Sequence, residues 1–365
     1  MVSNQFLSVL NESEKDDRNV VSKKELQKFL DENLFGKVIN VKCGTSITRY
    51  DINLTPQKIG YMLSAGKMFM AFFNTNNIRL YQNGNLVCVE IPNKYRGIYG
   101  LKDCAKKISE INSSDNDLII PIGEGLDGEC ITYNLVDMPH LLVAGQTGSG
   151  KSIFLQNIIL SLIMQYTKED VNLILIDPKQ VELGYYRNVP CVREVITTTQ
   201  RAEERILDLH DEMINRYKAF AEAGARDIKS YNEISGVKMP RIVVVIEELA
   251  EIATDESDEA IKSIGKLLNT ARASGIHLIL STQRPDSAFI SGKIKNNFEC
   301  RVIFSMASAQ DSRVALGRKG AEMLKGNGDG IFRSNNGQEN TRFQSPNVTE
   351  KEIKDVVKIL TQKGG

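Results

Sequence analysis

Residues 140–152 read "HLLVAGQTGSGKS", and this stretch decides the fold. The run from His140 to Ala144 is apolar without alternation, as expected of a strand covered on both faces. It ends in a complete G-x-x-x-x-G-K-[ST] pattern, and "KSIFLQNIILSLIMQY" then predicts an amphipathic helix. Gly145, Gly148 and Gly150, with Gln146, Thr147 and Ser149 between them, predict a loop whose N–H groups point inward at the positive end of that helix. Lys151 is placed to neutralise the outer phosphates, and the Ser152 hydroxyl to ligate Mg²⁺.

Working outward, "VNLILID", "RIVVVIEE", "HLILSTQ" and "CRVIFSM" are further apolar runs, separated by helical patterns such as "AEERILDLHDEMINRYKAFAEAG". Strands alternating with helices predict an α/β unit with a mostly parallel sheet. A phosphate cradle that hydrolyses needs one acid for the metal and one for water. "RIVVVIEELAEI" (residues 241–252) is a strand ending in paired acids. Glu248 takes the water-activating position and Glu247 the metal position, where an Asp is usual. Glu is one methylene longer, which an outer-shell carboxylate of Mg²⁺ tolerates better than a direct ligand. In "HLILSTQRP", Gln283 follows Thr282 at the strand end and is placed to position the attacking water.

The 365 residues suit one large or two medium domains, with 41% hydrophobic and 25% charged residues. Lys plus Arg equals Asp plus Glu, so the net charge gives no hint of a polyanion partner. No apolar run approaches the ~20 residues of a membrane span, and the start lacks the order of a secretory signal. Six scattered cysteines, with no CxxC pair, predict reduced core thiols rather than a disulfide framework or zinc site. These features predict a soluble, cytoplasmic protein without membrane insertion.

Residues 1–21 read as a polar leader. Ser22 with Glu25 three residues later predicts a capped helix, "KVINVKCG" and "TSITRYDINLTP" predict strands, and Asn83-Gly84 predicts a hairpin turn. Residues 22–112 are therefore expected to form a small α+β domain. The polar break "INSSDND" separates it from an ATPase domain over residues 113–365.

With these pieces in order, the chain resembles the FtsK/SpoIIIE family of DNA-translocating ATPases. The matching blocks are "MPHLLVAGQTGSGKS", "LILIDPKQVELGYY", "EMINRYKAFAEAGARDIKSYN", "RIVVVIEELAEI", "TARASGIHLILSTQRP" and "CRVIFSMASAQDSRVALGRKGAEMLKGNGDGIF". "GTSITRYDINLTP" and "VCVEIPNKYRG" extend the resemblance to the family's alpha domain, over roughly residues 24–362. The resemblance implies a RecA-like P-loop NTPase domain preceded by that alpha domain, with ATP and Mg²⁺ bound between subunits. It implies a ring, read as a hexamer, around double-stranded DNA. Arg272 is the first candidate for an arginine supplied in trans and Arg313 the second. Arg226, Lys229, Lys293 and Lys295 fall where pore-facing loops would hold DNA phosphates. "DPKQVEL" reads as site architecture.

Three departures narrow what carries over. The membrane-spanning and linker regions of the long family members are expected to be absent, and no winged-helix module is read after "TEKEIKDVVKILTQKGG", so directionality is expected either to come from a partner, DNA-orienting or relaxase, or to be absent. Glu247 stands for Asp, and Lys319 stands where Gly is common. Three readings stay open: a double-stranded DNA translocase, a conjugative coupling or protein-export ATPase of the same superfamily, and a non-hydrolysing ATP-binding scaffold.

Overall fold

A computed structural model of the chain describes residues 2–13, 21–75, 77–93, 97–111, 114, 116–137, 139–252, 259–283, 297–298, 300–334 and 340–362. Two sheets organise them. The smaller is antiparallel, with β1 (Lys37–Cys43), β2 (Ile47–Asn53), β3 (Arg79–Asn83) and β4 (Leu86–Pro92) in the order β1-β2-β4-β3. The Ser22 side chain caps the helix Lys23–Glu32 by accepting the Glu25 N–H at 3.1 Å. Asn83 pairs with Leu86, so the hairpin turn is Gly84 (φ +57°) and Asn85, one residue later than expected. Leu26, Phe29, Tyr50, Ile52, Phe69 and Val89 fill the core beneath this sheet.

The larger sheet has ten strands among the described residues. They are β5 (Ile119–Gly125), β6 (Cys130–Asn134), β7 (His140–Ala144), β8 (Val171–Ile176), β9 (Val192–Ile196), β10 (Arg241–Ile246), β11 (Ile276–Thr282), β12 (Cys300–Phe304), β13 (Asp329–Arg333) and β14 (Thr341–Gln344). Six run parallel in the order β12-β7-β11-β10-β8-β9, and β13, β14, β5 and β6 extend the sheet antiparallel beyond β12. This is the RecA-like α/β arrangement. β7 and β10, which deliver the phosphate loop and the paired acids, are separated by β11.

Every residue of β7, β10, β11 and β12 is buried, which explains apolar runs without alternation. Leu141, Val143 and Phe154 join the core on one face, and Leu142, Leu280, Ile206 and Ile264 that on the other. The helix Lys151–Gln165 differs from expectation, being buried on nearly every side rather than amphipathic. β5 and the helix Glu350–Gln362 cover the face that would otherwise meet water.

Residues 2–13 are not a solvated leader. Val2, Phe6 and Leu10, four apart in a polar background, are buried in one core with Leu101, Cys104 and Ala105. The Asn11 N–H donates to Glu352 Oε1 at 2.7 Å, and the Ser13 N–H to Asp103 Oδ2 at 3.1 Å. The helix Leu101–Glu110 packs on β5 and β6, so it shares the larger core although its sequence falls within 22–112. That packing also corrects the expectation for cysteines: Cys104 and Cys130, with Cα atoms 5.5 Å apart, are bonded. Cys43, Cys88, Cys191 and Cys300 are free thiols.

A buried ion network joins the sheets. Arg342 on β14 donates from Nε and Nη2 to Asp329 at 2.9 and 2.7 Å, and from Nη1 to Glu90 on β4 at 2.7 Å. Arg79 on β3 reaches the same Glu90 oxygen at 3.3 Å. Among the described residues, no helix is long and apolar enough to cross a membrane.

Candidate functional site

The phosphate loop leaves the carboxyl end of β7, where two glycines are required by packing and one by conformation. A Cβ at Gly145 would lie 2.5 Å from Ser149 Oγ, and one at Gly150 would lie 2.4 Å from the Gly328 nitrogen. Gly148 holds φ +75° with open space around it. Neighbouring strands anchor the loop: the Gly145 N–H donates to Thr282 O at 3.2 Å and the Gln146 N–H to Ser305 O at 2.9 Å. Asn327 and Gly328 N–H groups donate to Gly148 O at 3.3 Å and Ser149 O at 2.7 Å. The sequence does not identify this buttress as a site element, although the glycines of "GNGDG" mark a turn with close backbone approach.

The paired acids leave the carboxyl end of β10, both buried. The Glu247 N–H continues the ladder to Ile176 O at 3.0 Å. Burial pushes the Glu247 carboxyl up, Lys151 opposes this, and Glu248 and Asp177 add to it. Burial lowers Lys151, against the pull of Glu247 and Glu248. Glu248 Oε2 accepts the Gln283 N–H at 3.0 Å, and its Oε1 accepts that of Ala250 at 3.4 Å. The Thr147 hydroxyl donates to Gln283 Oε1 at 2.7 Å. Gln283 thus bridges both halves of the site, its backbone on the second acid and its side chain on the phosphate loop. The sequence suggested its neighbourhood but not this Thr147 contact.

"DPKQVEL" behaves as architecture. Asp177, fully buried, accepts the N–H groups of Glu182 and Leu183 at 2.9 and 3.0 Å, which shapes the turn carrying Lys179, Val181 and Glu182. Those three residues, with Lys151, Ser152, Glu247 and Gln283, line one cavity of about 720 Å³. That volume suits a nucleotide.

The donor chemistry also fits a hard divalent cation. Glu247 Oε2 is buried without a hydrogen-bond donor, as is Asp177 Oδ1. The Ser152 hydroxyl lines the same cavity as Glu247. Among the described residues no three His, Cys, Asp or Glu side chains form a metal cage. Mg²⁺ needs none, since one or two protein oxygens, phosphates and water satisfy it.

Arg226, Lys229 and Arg272 gather at the opposite edge of the sheet. Arg272 precedes β11 and Gln283 follows it, so seven residues of strand separate them, roughly 20 Å at ~3.3 Å per residue. The Ile228 N–H donates to Ala273 O at 2.9 Å, which brings Arg226 and Lys229 to that same edge. All three side chains are exposed, as is Arg313 in the helix Ala309–Leu316 that follows β12. Lys293 and Lys295 lie outside the described residues.

Comparison with known proteins agrees with this geometry. The FtsK/SpoIIIE family model matches residues 105–287. The chain is 36% identical to DNA translocase FtsK of Clostridium tetani, with 90% of this chain and 45% of that protein covered. It is 34% identical to DNA translocase FtsK of Staphylococcus aureus strain Mu50, covering 98% of this chain and 48% of that protein. The chain therefore spans about half the length of these curated relatives. The solved structure of the pCW3 conjugation coupling protein TcpA, a monomer form with ATPγS, superposes with a TM-score of 0.62 at 26% identity. That match covers 94% of this chain and 99% of TcpA.

Proposed function

This chain belongs to the FtsK/SpoIIIE family and is a P-loop ATPase, and on that premise we propose that it translocates double-stranded DNA as an ATP-driven ring, hexameric in stoichiometry. The observation that carries the coupling is the double engagement of Gln283, on Glu248 through its backbone and on Thr147 through its side chain. A change at the outer phosphate moves Thr147, and Gln283 passes that movement to the carboxyl end of β11. In this reading the N–H groups of residues 145–152 and Lys151 hold the phosphates. Glu248 takes the proton of the attacking water, and Gln283 orients that water.

Mg²⁺, when bound, withdraws charge from the phosphates, and Ser152 and Glu247 are the residues that would hold it. Arg272 stands too far from its own phosphate loop to reach it, which supports a role at a neighbour's site ahead of Arg313. Arg226 and Lys229, with Lys293 and Lys295, hold DNA phosphates without reading bases, so binding weakens steeply with salt. The division into an α+β unit and a RecA-like unit, a cytoplasmic setting and a DNA-orienting or relaxase partner belong to the same proposal.

A second reading, conjugative coupling, is favoured by the near-complete mutual coverage with TcpA. Displacement of a third strand annealed to a long duplex separates a motor from a static ATPase. Hydrolysis without displacement would sink the translocase reading, and capture of a relaxase instead of displacement would select the coupling one.

A further inference from the structure

The turn that holds the carbonyls of Gly148 and Ser149 has an unusual backbone. Gly326, Asn327 and Gly328 all carry positive φ, at +77°, +51° and +87°. Single Gly or Asn residues adopt this region readily, but three in succession belong to no regular structure. Such a run persists only where its surroundings over-determine it. The turn therefore needs support from outside itself.

A fully buried carboxylate supplies much of that support. Asp329 Oδ2 accepts the Lys325 N–H at 2.8 Å, which closes the turn across its base. The same oxygen accepts Arg342 Nη2 at 2.7 Å, and Oδ1 accepts Nε at 2.9 Å. The remaining terminal nitrogen, Nη1, donates to Glu90 Oε2 at 2.7 Å. Glu90 lies on β4 of the smaller sheet and Asp329 on β13 of the larger. Arg342 is thus oriented by two dry carboxylates, one from each sheet, through bonds that are strong because both partners are charged. Glu90 does not line the nucleotide cavity. Any influence it has on ATP passes through Arg342, Asp329 and the turn.

We propose that Glu90 is a positioning residue for the phosphate loop: by orienting Arg342 on Asp329 it fixes residues 325–328, so the smaller sheet sets part of the affinity for ATP. The inference rests on residues 145–152 holding the phosphates. Its last step follows from the rigid trans peptide. Ser149 O is held toward the Gly328 N–H at 2.7 Å, which directs the Gly150 N–H the opposite way, away from the turn. Gly150 itself lines the nucleotide cavity. A loosened turn frees that peptide to rotate, and the donors then have to be ordered when nucleotide binds. The loss falls on the ground state and the transition state alike, so it appears in KM rather than in kcat.

The test measures steady-state ATP hydrolysis by the full chain with Mg²⁺, together with backbone amide hydrogen exchange. Glu90→Gln keeps the shape of the side chain and removes its charge. It should raise the KM for ATP about tenfold, the worth of one charge-assisted hydrogen bond, while kcat stays within about twofold. Exchange in the peptide covering residues 325–328 should quicken, and exchange in β10 should not. Arg342→Lys keeps a cation that cannot span both carboxylates, and it should raise KM at least as much. Val89→Ala opens a cavity in the core beneath the smaller sheet and leaves the ion network intact. It should lower the urea midpoint without moving KM. A wild-type KM in both Glu90→Gln and Arg342→Lys would overturn the inference, as would an equal rise in Val89→Ala. Lys151→Ala tests the premise separately: unchanged ATP affinity there would remove the phosphate reading, and the inference with it.

Discussion

Arg342→Met should destabilise the protein by about 3–5 kcal/mol, the range for leaving buried carboxylates without their cation. The magnitude follows from the network's geometry. Arg342 is 1% exposed and its partners Asp329 and Glu90 are 0% exposed. Removing the guanidinium deletes three charge-assisted bonds, two at 2.7 Å and one at 2.9 Å. Glu90 keeps Arg79 at 3.3 Å, while Asp329 keeps the Lys325 N–H at 2.8 Å and gains no other cation in the network. A folded domain has only about 5–15 kcal/mol in total, so the loss should be large in urea unfolding followed by circular dichroism, with an unchanged slope. Adding Asp329→Asn to Arg342→Met should recover at least ~1 kcal/mol, because it removes the stranded charge.

The pH dependence of this network has a fixed sign. Burial alone would raise the Glu90 carboxyl, but Arg79 and Arg342 hold it below the ordinary carboxylate range. Its stabilisation is therefore present above the unfolded value of about 4.3 and is lost as pH falls through the lower folded value. The gap between wild type and Arg342→Met should narrow on acidification. A loss below ~1 kcal/mol at neutral pH, or no recovery with Asp329→Asn, would refute the reasoning.

Gly150→Ala should abolish nucleotide binding in a fluorescence titration and destabilise the fold by about 1–3 kcal/mol, since φ is +112° and the new Cβ would lie 2.4 Å from the Gly328 nitrogen. Glu247→Asp should shift the Mg²⁺ concentration for half-maximal hydrolysis while retaining turnover, and a dead Glu247→Asp with an active wild type would contradict an outer-shell role. His140 and His277 are held neutral, the first lowered to about 3 and the second well below its ordinary value, chiefly by burial. Their folded-state values lie below the unfolded ~6.5, so stability should fall as pH drops from ~6.5 toward 3. A urea midpoint that is flat from pH 7 to pH 5, and unchanged by His277→Gln, would contradict this.

The sequence disclosed what is local. Residues 145–152 show their loop because the glycines and Lys151 act within one turn, and Glu248 shows itself because it ends an apolar strand. Contacts between distant segments left no such mark. Glu90 and Arg342 are 252 residues apart, and although Glu90 falls in the block "VCVEIPNKYRG", nothing there points to Arg342 as its partner. Cys104 meets Cys130 because a helix crosses a hairpin, which spacing along the chain does not encode. Phe6 and Leu10 sit in a stretch that reads as a polar leader, since the partners that bury them lie beyond residue 98. Val2, Phe6 and Leu10 do keep the i, i+4 spacing of one helical face, and that was the available signal. The sequence marks Thr147 only as part of the loop, because its bond to Gln283 depends on β11 lying between β7 and β10.

The central claim is that hydrolysis at this site is coupled to duplex DNA. Steady-state phosphate release, with Mg²⁺ and ATP at low salt, should rise severalfold on adding duplex DNA and lose that stimulation as salt increases. Glu248→Gln should bind nucleotide normally yet lose about 10²–10⁴ of the rate, the range for removing a general base. Wild-type turnover that is robust but indifferent to duplex DNA at every salt concentration would contradict the account.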